Sequence, residues 1–534
     1  MRPHPLTPSP SQGEGEIWVR RWDWAAILFL VVTTALRLSA LSRLELAPDE
    51  AYYWDWSRHL ALGYYDQGPM IAYLIRATTA LFGTNEFGVR FGVLAASLGT
   101  LVCAYVLARR IFGPLAGFLT VVLLGLTPLM AVGSLIATYD PPLVFFWALA
   151  ALFLERALFA PSARQQRAAW LWTGVATGLG FLSKHTMLLI IPCLLLFLAL
   201  SPAHRRWLRR PEPYLAFLLT LLLYSGVFWW NAHHHWWTFQ HLLFLTGKSS
   251  GTPLRRLGDF LGSQALLLGP ALFLASLAAC WAGLRTAWRA RLSEHTAADK
   301  PLFLACLGLP VFLFFCLLAL KAKVQGNWLP FAWITPTVLW SGWAAARIQN
   351  SRRAAWKIAG LAGLLAVTSG DLTVLMAFPT LRAEVGLRLP PDADPSNTTT
   401  GWRQLAAHVQ QLRQEMQRQG HKVFLAGNGY QYCALLAFYL PDHPETHDLF
   451  LHFRLTMYAA HVDRLKALLG EDAIFVNDGQ ADDGDLRKIF TTVQWDPPFP
   501  IWRQPFYTEP IRTIYIARCY RYRRYTGLEW ALGG

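Results

Sequence analysis

The sequence predicts a mainly α polytopic membrane protein with a small C-terminal α/β domain. Of the 534 residues, 54% are hydrophobic and only 15% are charged, whereas soluble domains carry about a quarter charged residues. Apolar runs of about 20 residues, long enough to cross the hydrocarbon core of a bilayer, recur along the chain. From about residue 380 onward the chain is more polar and alternates between helical and strand patterns.

About eleven transmembrane helices are predicted from the apolar runs. Residues 1–20 are predicted to be a disordered cytoplasmic N-terminus, since their first part is rich in Pro, Ser and Gly. The first apolar run has no convincing small-residue cleavage site, so it is expected to be an uncleaved anchor. The transmembrane domain is placed at residues 21–380 and the soluble domain at residues 381–534. The predicted spans lie near residues 24–43, 87–108, 115–137, 142–159, 169–183, 186–200, 214–231, 260–284, 302–320, 328–346 and 356–378.

The distribution of Lys and Arg predicts the orientation in the membrane. With a cytoplasmic N-terminus, the inner loops hold roughly twenty Lys and Arg and the outer loops roughly nine, in line with the positive-inside rule. The loop after the first span and the C-terminal domain then lie outside. The same bias accounts for the net charge of +15. No soluble segment carries a basic stripe with interleaved aromatics, so nucleic acid is not an expected partner.

The C-terminal domain is predicted to mix helices and strands. "WRQLAAHVQQLRQEMQRQG" has helical spacing and ends at Gly420. "HKVFLAG" and "DAIFVND" predict strands, and "QYCALLAFYLP" predicts a helix that ends at a proline. Residues 390–397 form a plausible linker. Cys433 and Cys519 could pair in an oxidising compartment, but their spacing does not decide it.

Acidic residues stand at three points near the membrane edge in the predicted outer loops. Asp49 and Glu50 lie in "APDEAYYWDW", Asp66 in "YYDQGP" and Asp140 in "ATYDPP". An acid near the hydrocarbon is costly and usually faces a cavity. Helix capping is the alternative for the adjacent pair, since acids in a first turn complement the helix dipole.

Three lysines are predicted on the same outer side, against the positive-inside bias. Lys184 lies in "FLSKHTM", and Lys321 and Lys323 lie in "LKAKVQGNW". Each could extend its ammonium group to lipid phosphates at the interface. Acids at three positions and three lysines, all on one face, instead favour a polar cavity for a charged substrate. Lysine suits phosphate as a point charge, and a carboxylate suits proton abstraction or metal binding.

The order of these motifs carries a family resemblance. "DEAYYWDW", "YYDQGPMIAYLI", "TYDPPLVFFWAL", "GLGFLSKHTMLLIIP" and "KVQGNWLPFAWI" follow one another along the chain. The chain resembles the bacterial GT-C glycosyltransferases related to protein O-mannosyltransferases and to the lipid A aminoarabinose transferase, that is, glycosyltransferase family 39 and its relatives. The resemblance covers roughly residues 20–345. In the tail, "GWRQLA" and "NGYQYCALLAFYLP" resemble the soluble domain of one bacterial branch.

The resemblance implies a GT-C fold and a transferase in the bacterial inner membrane with its site on the periplasmic side. The expected donor is a polyprenyl-phosphate-linked sugar, and the expected acceptor is lipid A, lipopolysaccharide or another envelope glycolipid. A protein acceptor is the alternative within the same fold. A transporter or flippase of a lipid-linked sugar is a further alternative, although no internal repeat typical of transporters is visible.

The resemblance also implies roles for the acids. Asp49, Glu50 and Asp140 are the expected catalytic residues: Asp49 is the base, Glu50 is its neighbour, and Asp140 is expected to orient the acceptor or to hold a metal. Relatives often carry His or Lys where this chain has Gln67, which weakens the case for a metal at that point. No cofactor is required for certain; a divalent metal at Asp49 and Asp140 stays open.

The chemistry itself supports this arrangement. An acceptor hydroxyl must lose its proton as it attacks the sugar, and a carboxylate within hydrogen-bond reach can accept that proton. The leaving phosphate gains charge, which preorganised cations stabilise. A phosphate needs no second acid as a leaving group, and a single displacement inverts the anomeric centre. The expected substrate-binding residues are Tyr53, Tyr65, Asp66, Gln67, Lys184, Lys321, Lys323 and Gln325.

Overall fold

Helices make up most of the transmembrane part of the structure. The computed structural model describes residues 12–247, 251–290, 299–377, 389–391, 394–451, 455–461, 463–479, 483–503 and 507–523. The helices up to residue 377 are α1 (Gln12–Ala40), α2 (Pro48–Arg58), α3 (Met70–Phe82), α4 (Glu86–Phe112), α5 (Pro114–Gly125), α6 (Pro128–Gly133), α7 (Asp140–Phe159), α8 (Ala163–Ser183), α9 (Ile190–Leu200), α10 (Pro211–His233), α11 (Trp237–Gly247), α12 (Pro253–Leu268), α13 (Pro270–Ala290), α14 (Asp299–Lys321), α15 (Ile334–Asn350) and α16 (Arg352–Ala377).

Six helices in the described part of the chain are long and apolar enough to cross a membrane. They are α1 from Arg21 onward, α4, α7, α10, α13 up to Trp288 and α14. The polytopic, mainly helical class predicted from the sequence is therefore confirmed. The number of about eleven spans stays a prediction. Helix α1 begins at Gln12, within the segment predicted to be disordered, and residues 1–11 lie outside the described part.

Two predicted spans are broken by proline. The apolar run 115–137 contains α5 and then α6, which begins at Pro128 after the Thr127 hydroxyl caps it by accepting from the Met130 amide. The run 260–284 is divided between α12 and α13, because Gly269 has a φ of +84° and Pro270 follows it. Hydropathy alone is insensitive to such breaks, since neither proline nor glycine makes the run polar.

The segment after the first span is helical where the sequence predicted a loop. Helix α2 has Pro48 at its first position and acids in its first turn, which suits a helix N-terminus. Most of its side chains are buried, including its aromatic residues. Helix α3 follows after a short irregular stretch and packs against both α2 and α4. The acids of the first outer loop are thus held on a packed helix.

The C-terminal part forms one mixed sheet with helices. Its helices are α17 (Trp402–Arg418), α18 (Tyr430–Tyr439), α19 (Asp463–Lys466) and α20 (Asp483–Ile489), and its strands are β1 (Val423–Gly427), β2 (Thr446–Asp448), β3 (Asp472–Asn477), β4 (Phe490–Trp495), β5 (Phe499–Ile501) and β6 (Arg512–Tyr522). The strand order is β2-β1-β3-β6-β4, and β5 pairs with β6. β1 pairs in parallel with β2 and β3, whereas β6 is antiparallel to its partners. The predicted α/β class of this part is confirmed.

The predicted linker carries a buried polar cluster. The Asp394 carboxylate accepts from the Ser396 amide at 3.0 Å, and the Arg503 guanidinium donates to the Ser396 hydroxyl and to Asn397 Oδ1. The segment is therefore bonded into the C-terminal fold. The predicted domain boundary near residue 380 lies among residues 378–388, outside the described part. Cys433 and Cys519 are both buried free thiols.

Helix α2 and the C-terminal part share one hydrophobic core. Tyr52 and Trp54 of α2 belong to the same buried cluster as Trp402 of α17 and Leu435 of α18. The Trp54 ring packs edge-on against the Phe438 ring with centroids 4.9 Å apart. Because burial of apolar surface is the main cohesive term in packing, this core fixes the C-terminal part over the acid-bearing helix.

Candidate active site

The adjacent acids Asp49 and Glu50 point in different directions. Successive residues in an α-helix are rotated by about 100° around its axis, so the two side chains at the start of α2 cannot face the same environment. Asp49 is exposed, and its Oδ1 accepts from the Tyr430 hydroxyl at 2.7 Å. Glu50 is fully buried.

Both carboxylate oxygens of Glu50 are occupied by protein donors. Oε1 accepts from Arg90 Nε and from the Ala137 amide, each at 2.7 Å. Oε2 accepts from Arg90 Nη2 at 2.6 Å and from the Ala47 amide at 2.8 Å. A carboxylate saturated in this way has no oxygen directed at a substrate. The geometry therefore indicates that Glu50 holds α2, α4 and the segment before α7 in position relative to one another.

Arg90 is a site residue that the sequence reasoning missed. It is 1% exposed within α4, and besides Glu50 it donates to the carbonyl oxygens of Leu41, Leu44 and Glu45. The sequence could have pointed to Arg90, because an arginine inside an apolar span normally has a specific partner. Together, Arg90 and Glu50 fix the turn between α1 and α2, and with it the position of Asp49.

Asp140, Lys184 and Asn327 form a second cluster. Lys184 Nζ donates to Asp140 Oδ1 at 2.7 Å, and Asn327 Nδ2 donates to Asp140 Oδ2 at 3.1 Å. Asp140 and Lys184 are both buried, at 7% and 4% exposure. Asn327 was not singled out in the sequence, although it lies within the "KVQGNW" motif. The structure brings together residues from three separate loops.

Tyr139 links the two acid groups. Lys184 Nζ lies 4.9 Å from the centre of the Tyr139 ring, a cation–π distance, and the Tyr53 ring packs edge-on against it at 5.6 Å. Burial raises the pKa of the Tyr139 phenol well above its usual range, and the negative charges of Asp140, Asp66 and Asp49 raise it further. Three of the four predicted acids, Asp49, Asp66 and Asp140, thus act electrostatically on one tyrosine.

Asp66 and Gln67 complete this side of the site. Asp66 Oδ2 accepts from the Tyr52 hydroxyl at 2.8 Å. Gln67 Oε1 lies 3.0 Å from His185 Nδ1, and the Tyr224 hydroxyl lies 2.6 Å from His185 Nε2. The segment packs closely on the end of α8.

Gly68 makes that close packing possible. A Cβ atom at Gly68 would lie only 2.1 Å from the carbonyl oxygen of Leu182. The backbone after Asp66 and Gln67 therefore runs directly against the last turn of α8, two residues before Lys184. Only glycine, which has no Cβ atom, allows the two backbones to approach this closely.

The remaining predicted substrate-binding residues have different surroundings. Tyr65 is buried, with its ring centre 4.8 Å from that of His241. Lys321, Lys323 and Gln325 are exposed at the end of α14 and just after it. Among the described residues neither lysine forms an ion pair, so the structure does not bring these two cations into contact with the acids.

A cavity of about 210 Å³ opens beside the Asp140 cluster. Asp140, Asn327 and Thr138 lie on its polar side. The rest of its lining is mostly apolar and comes from α4, the α5–α6 break, α7, the end of α12 and the start of α15; it includes Leu124, Pro128, Leu129, Met130, Val132, Ile136, Val144, Leu267, Leu268, Trp333 and Ile334. An apolar cavity with a few polar groups at one point is the usual form of a small-molecule site.

The residues at Asp140 do not fit a bound metal. One oxygen of Asp140 is paired with the Lys184 ammonium group and the other with an amide donor, so both face positive or donor groups. Across the described ranges no three His, Cys, Asp or Glu side chains converge as metal ligands. The site is therefore interpreted without any step through a metal.

Hydrogen bonds from the C-terminal part cover the acid-bearing helix. Tyr458 donates to Asp55 Oδ2 at 2.7 Å, and the Met457 amide donates to the Tyr52 hydroxyl oxygen at 2.7 Å. The Leu46 amide donates to the Tyr439 hydroxyl oxygen at 2.6 Å. Together with the hydrogen bond from Tyr430 to Asp49, these bonds hold the C-terminal part over α2. The covering surface, which includes Tyr430, Tyr439, Met457 and Tyr458, is called the roof below.

A titratable cluster lies at the edge of this roof. His59 Nε2 lies 3.0 Å from Glu445 Oε1, and Arg464 Nη1 donates to Glu445 Oε2 at 2.7 Å. Arg58 also faces Glu445, at 3.3 Å, and the His461 ring centre is 5.1 Å from that of His59. The hydrogen bond to Glu445 raises the pKa of His59 above its ordinary 6.5, and the same bond lowers the pKa of Glu445 to about 2.

Docking of the C-terminal part is expected to loosen as the pH rises. Protonated His59 contributes stability below pH 6.5, and this contribution is lost as the pH rises through the raised pKa of His59. Glu445 remains charged over this window, since its pKa is about 2. Hydrogen exchange of residues 443–448, corrected for the intrinsic pH dependence, should show less protection at about pH 9 than at about pH 5.5, on either side of histidine's ordinary range.

Glu445→Gln tests the assignment to this pair. The variant should flatten the pH dependence, because His59 then has no carboxylate partner. Asp442→Asn, which alters an exposed carboxylate paired with Arg413, should retain it. Equal pH dependence in wild type and Glu445→Gln would assign the effect to another group. The effect is modest in size, since exposed ion pairs are screened by solvent.

Together the fold and the site define a class of protein: a helical membrane bundle in which an acid paired with a lysine borders a mostly apolar cavity, with an α/β part packed over a second acid-bearing helix. Residues 66–230 match the family described as dolichyl-phosphate-mannose-protein mannosyltransferase. The structure superposes on ArnT from Cupriavidus metallidurans bound to undecaprenyl phosphate with a TM-score of 0.62 and 17% identity, over 92% of this chain and 97% of that one. The resemblance to the GT-C glycosyltransferase superfamily is confirmed, and the chain has the GT-C fold.

Two curated relatives are similar in sequence over part of their length. The chain is 32% identical over 323 residues to the lipid A galacturonosyltransferase RgtD of Rhizobium johnstonii, covering 59% of this chain and 64% of that protein. It is 32% identical over 202 residues to the undecaprenyl phosphate-alpha-4-amino-4-deoxy-L-arabinose arabinosyl transferase of Pseudomonas aeruginosa, covering 35% of this chain and 36% of that protein. The chain thus matches less than two thirds of either relative.

Proposed function

We propose that the protein is an integral membrane glycosyltransferase that moves a sugar from a polyprenyl-phosphate-linked donor to lipid A or another envelope glycolipid. The observation that carries this proposal is the cluster of Asp140, Lys184 and Asn327 at the polar side of a mostly apolar cavity. A donor with a phosphate between a sugar and a prenyl chain needs this combination of a cation beside an apolar channel. The two relatives, named for lipid A and undecaprenyl-phosphate chemistry, support the same class.

Lys184 is assigned to the donor phosphate. Its ammonium group is fixed between Asp140 and the Tyr139 ring, so it needs little reorganisation when the phosphate gains charge. Asp140 positions the lysine through this ion pair. Lys321 and Lys323, exposed near the same region, are assigned to attraction of the anionic headgroup from the membrane surface.

Asp49 is assigned as the base that takes the proton from the acceptor hydroxyl. It is the exposed acid of the three that surround Tyr139, and it accepts a hydrogen bond from the roof through Tyr430. The acceptor oxygen bonds to the anomeric carbon, the carbon–oxygen bond to the phosphate breaks, and the proton moves to Asp49. A single displacement of this kind inverts the anomeric centre. By the loop charges, this face is periplasmic.

Mass spectrometry of envelope lipids tests the proposed function. Lipid A and glycoproteins from wild-type cells, from a deletion strain and from the complemented strain are compared. We expect one lipid species to lose a single sugar mass in the deletion and to regain it on complementation. If a protein lost the sugar instead, the acceptor would be a protein and the enzyme would be a protein O-glycosyltransferase. An unchanged glycan inventory with an altered distribution of lipid-linked sugar would support a transporter.

Replacing Lys184 by Met is expected to lower sugar transfer by about 100-fold or more, because one preorganised group at the developing charge is lost. Binding of undecaprenyl phosphate, measured without sugar, should weaken as well. The change also leaves the buried Asp140 carboxylate without its cation, so Asp140→Asn/Lys184→Met serves as the stability control. That double variant should recover thermal stability without recovering transfer. Lys357→Met, an exposed lysine on α16, should leave transfer unchanged; full activity of Lys184→Met would refute the assignment.

A further inference from the structure

A second cavity system lies at the opposite end of the transmembrane bundle. Helix α8 runs from Ala163 to Ser183, next to Lys184, so its first residue lies about 30 Å from the proposed active site. At that far end, a cavity of about 310 Å³ is lined by Arg167, Arg206, Arg210, Glu212 and Trp207, among others. No step of the proposed transfer reaction uses these residues.

An apolar cavity of about 220 Å³ lies beside it. Trp207 lines both cavities, and the rest of the apolar lining comes mostly from α8, α9 and α10, with Leu154 of α7 and Leu208. Several lining residues, such as Leu195 and Phe217, are exposed on the outside of the bundle, where lipid chains lie. A positively charged pocket and an apolar, lipid-facing one thus share Trp207 as a common wall.

Two buried indole groups in this system have donors without acceptors. Trp170 and Trp207 are 1% and 4% exposed, and their ring centres are 5.4 Å apart. Within the described part of the chain, neither Nε1–H has a hydrogen-bond partner. A buried unsatisfied donor is costly, and each such group needs an explanation. Ester carbonyl oxygens, which join a lipid headgroup to its acyl chains, would satisfy donors at this depth.

The charged pocket also holds an unsatisfied acceptor. The Oε2 atom of Glu212 is buried, and no described residue donates to it. Three arginines against one glutamate leave a net positive pocket, which suits a phosphate. A hydroxyl group next to that phosphate would supply the donor that Glu212 lacks.

We infer that this system binds one anionic glycerophospholipid with a hydroxylated headgroup, of the phosphatidylglycerol type. The phosphate lies among Arg167, Arg206 and Arg210, and the headgroup hydroxyl donates to Glu212. The ester carbonyls face the two indole groups, and an acyl chain fills the apolar cavity. Basic pockets between helices at a membrane surface bind anionic lipid headgroups by the same charge complementarity.

Native mass spectrometry of the full-length protein in detergent tests this inference. Phosphatidylglycerol and phosphatidylcholine with identical acyl chains are titrated into delipidated protein. Wild type should bind one phosphatidylglycerol about 30-fold more tightly than phosphatidylcholine, as expected for the net charge of +2 that three arginines and one glutamate give the pocket. Arg206→Gln/Arg210→Gln should bind both lipids equally. Arg347→Gln/Arg352→Gln, which removes the same charge at the same end of the bundle, should keep the wild-type preference.

Three further measurements separate the contributions. Glycerophosphoglycerol, the headgroup without acyl chains, should not compete with phosphatidylglycerol for the site. If it competed at equal concentration, the site would recognise the phosphate alone and not the whole lipid. Each single arginine variant should lose about half of the preference on a logarithmic scale, which keeps the test valid if the double variant is unstable. Equal binding of the two lipids by wild type, or equal losses in the control variant, would overturn the inference. None of these readouts depends on sugar transfer.

Discussion

Replacing Asp49 by Asn is expected to lower the rate of sugar transfer by about 100- to 10,000-fold, the usual contribution of a positioned general base. Asn keeps the shape of the side chain and an oxygen that can accept from Tyr430, so only the proton-accepting charge is lost. Because Asp49 is exposed, the folded structure should be retained. The rate is measured with purified protein, a polyprenyl-phosphate-linked sugar and lipid A at matched protein amounts.

Two companion variants make this result interpretable. Tyr430→Phe removes the hydroxyl that holds Asp49 but leaves its charge, so an intermediate loss is expected. Asp66→Asn alters the acid held by Tyr52 and tests whether Asp66 is the base in place of Asp49. If Asp49→Asn transferred sugar within a few-fold of wild type while Asp66→Asn were inactive, the base would be Asp66.

Replacing Glu50 by Gln is expected to destabilise the protein by about 3–5 kcal/mol, because it leaves the charge of Arg90 buried without a counter-charge. The amide nitrogen of Gln would also face the Arg90 guanidinium or the Ala47 amide, donor against donor. Thermal unfolding of the purified protein and its yield from membranes are the measurements. Asp463→Asn, which alters an exposed carboxylate paired with Lys466, should produce no measurable shift.

A second substitution separates destabilisation from catalysis. Glu50→Gln/Arg90→Met removes both charges and should recover part of the lost stability, since contacting residues are energetically coupled. The folded fraction of Glu50→Gln should keep most of its transfer activity per molecule. A variant with an unchanged melting temperature and no activity would instead make Glu50 a catalytic residue, as the sequence resemblance suggested.

The sequence predicted the class of fold because hydropathy and helix length are local properties. It predicted β1, β3, α17 and α18 in the tail for the same reason, since each shows its own period over a short stretch. The breaks at Pro128 and at Gly269–Pro270 were missed, because both lie inside runs that are apolar throughout. Helix α2 was missed because its aromatic and acidic residues show no single apolar face.

The candidate site was predicted in its residues but not in its pairings. Asp140 and Lys184 were both selected, yet their ion pair joins positions 44 residues apart, and Asn327 is a further 143 residues along. Nothing in local sequence specifies such contacts, which depend on how α7, α8 and the segment after α14 pack. Asp49 is exposed and Glu50 is buried because they occupy successive positions on a helix. This difference could not be predicted while α2 was taken for a loop.

The roof over α2 has a consequence for biogenesis. The bonds that hold α2 join Leu46 to Tyr439 and Tyr52 to Met457, partners 393 and 405 residues apart. A ribosome releases the chain from its N-terminus, at about 5–20 residues per second. The acid-bearing helix therefore enters the membrane surface well before its covering exists. The proposed site is covered only after residues 393 to 405 positions further along the chain have been synthesised, so a product that stops before them lacks the cover over α2.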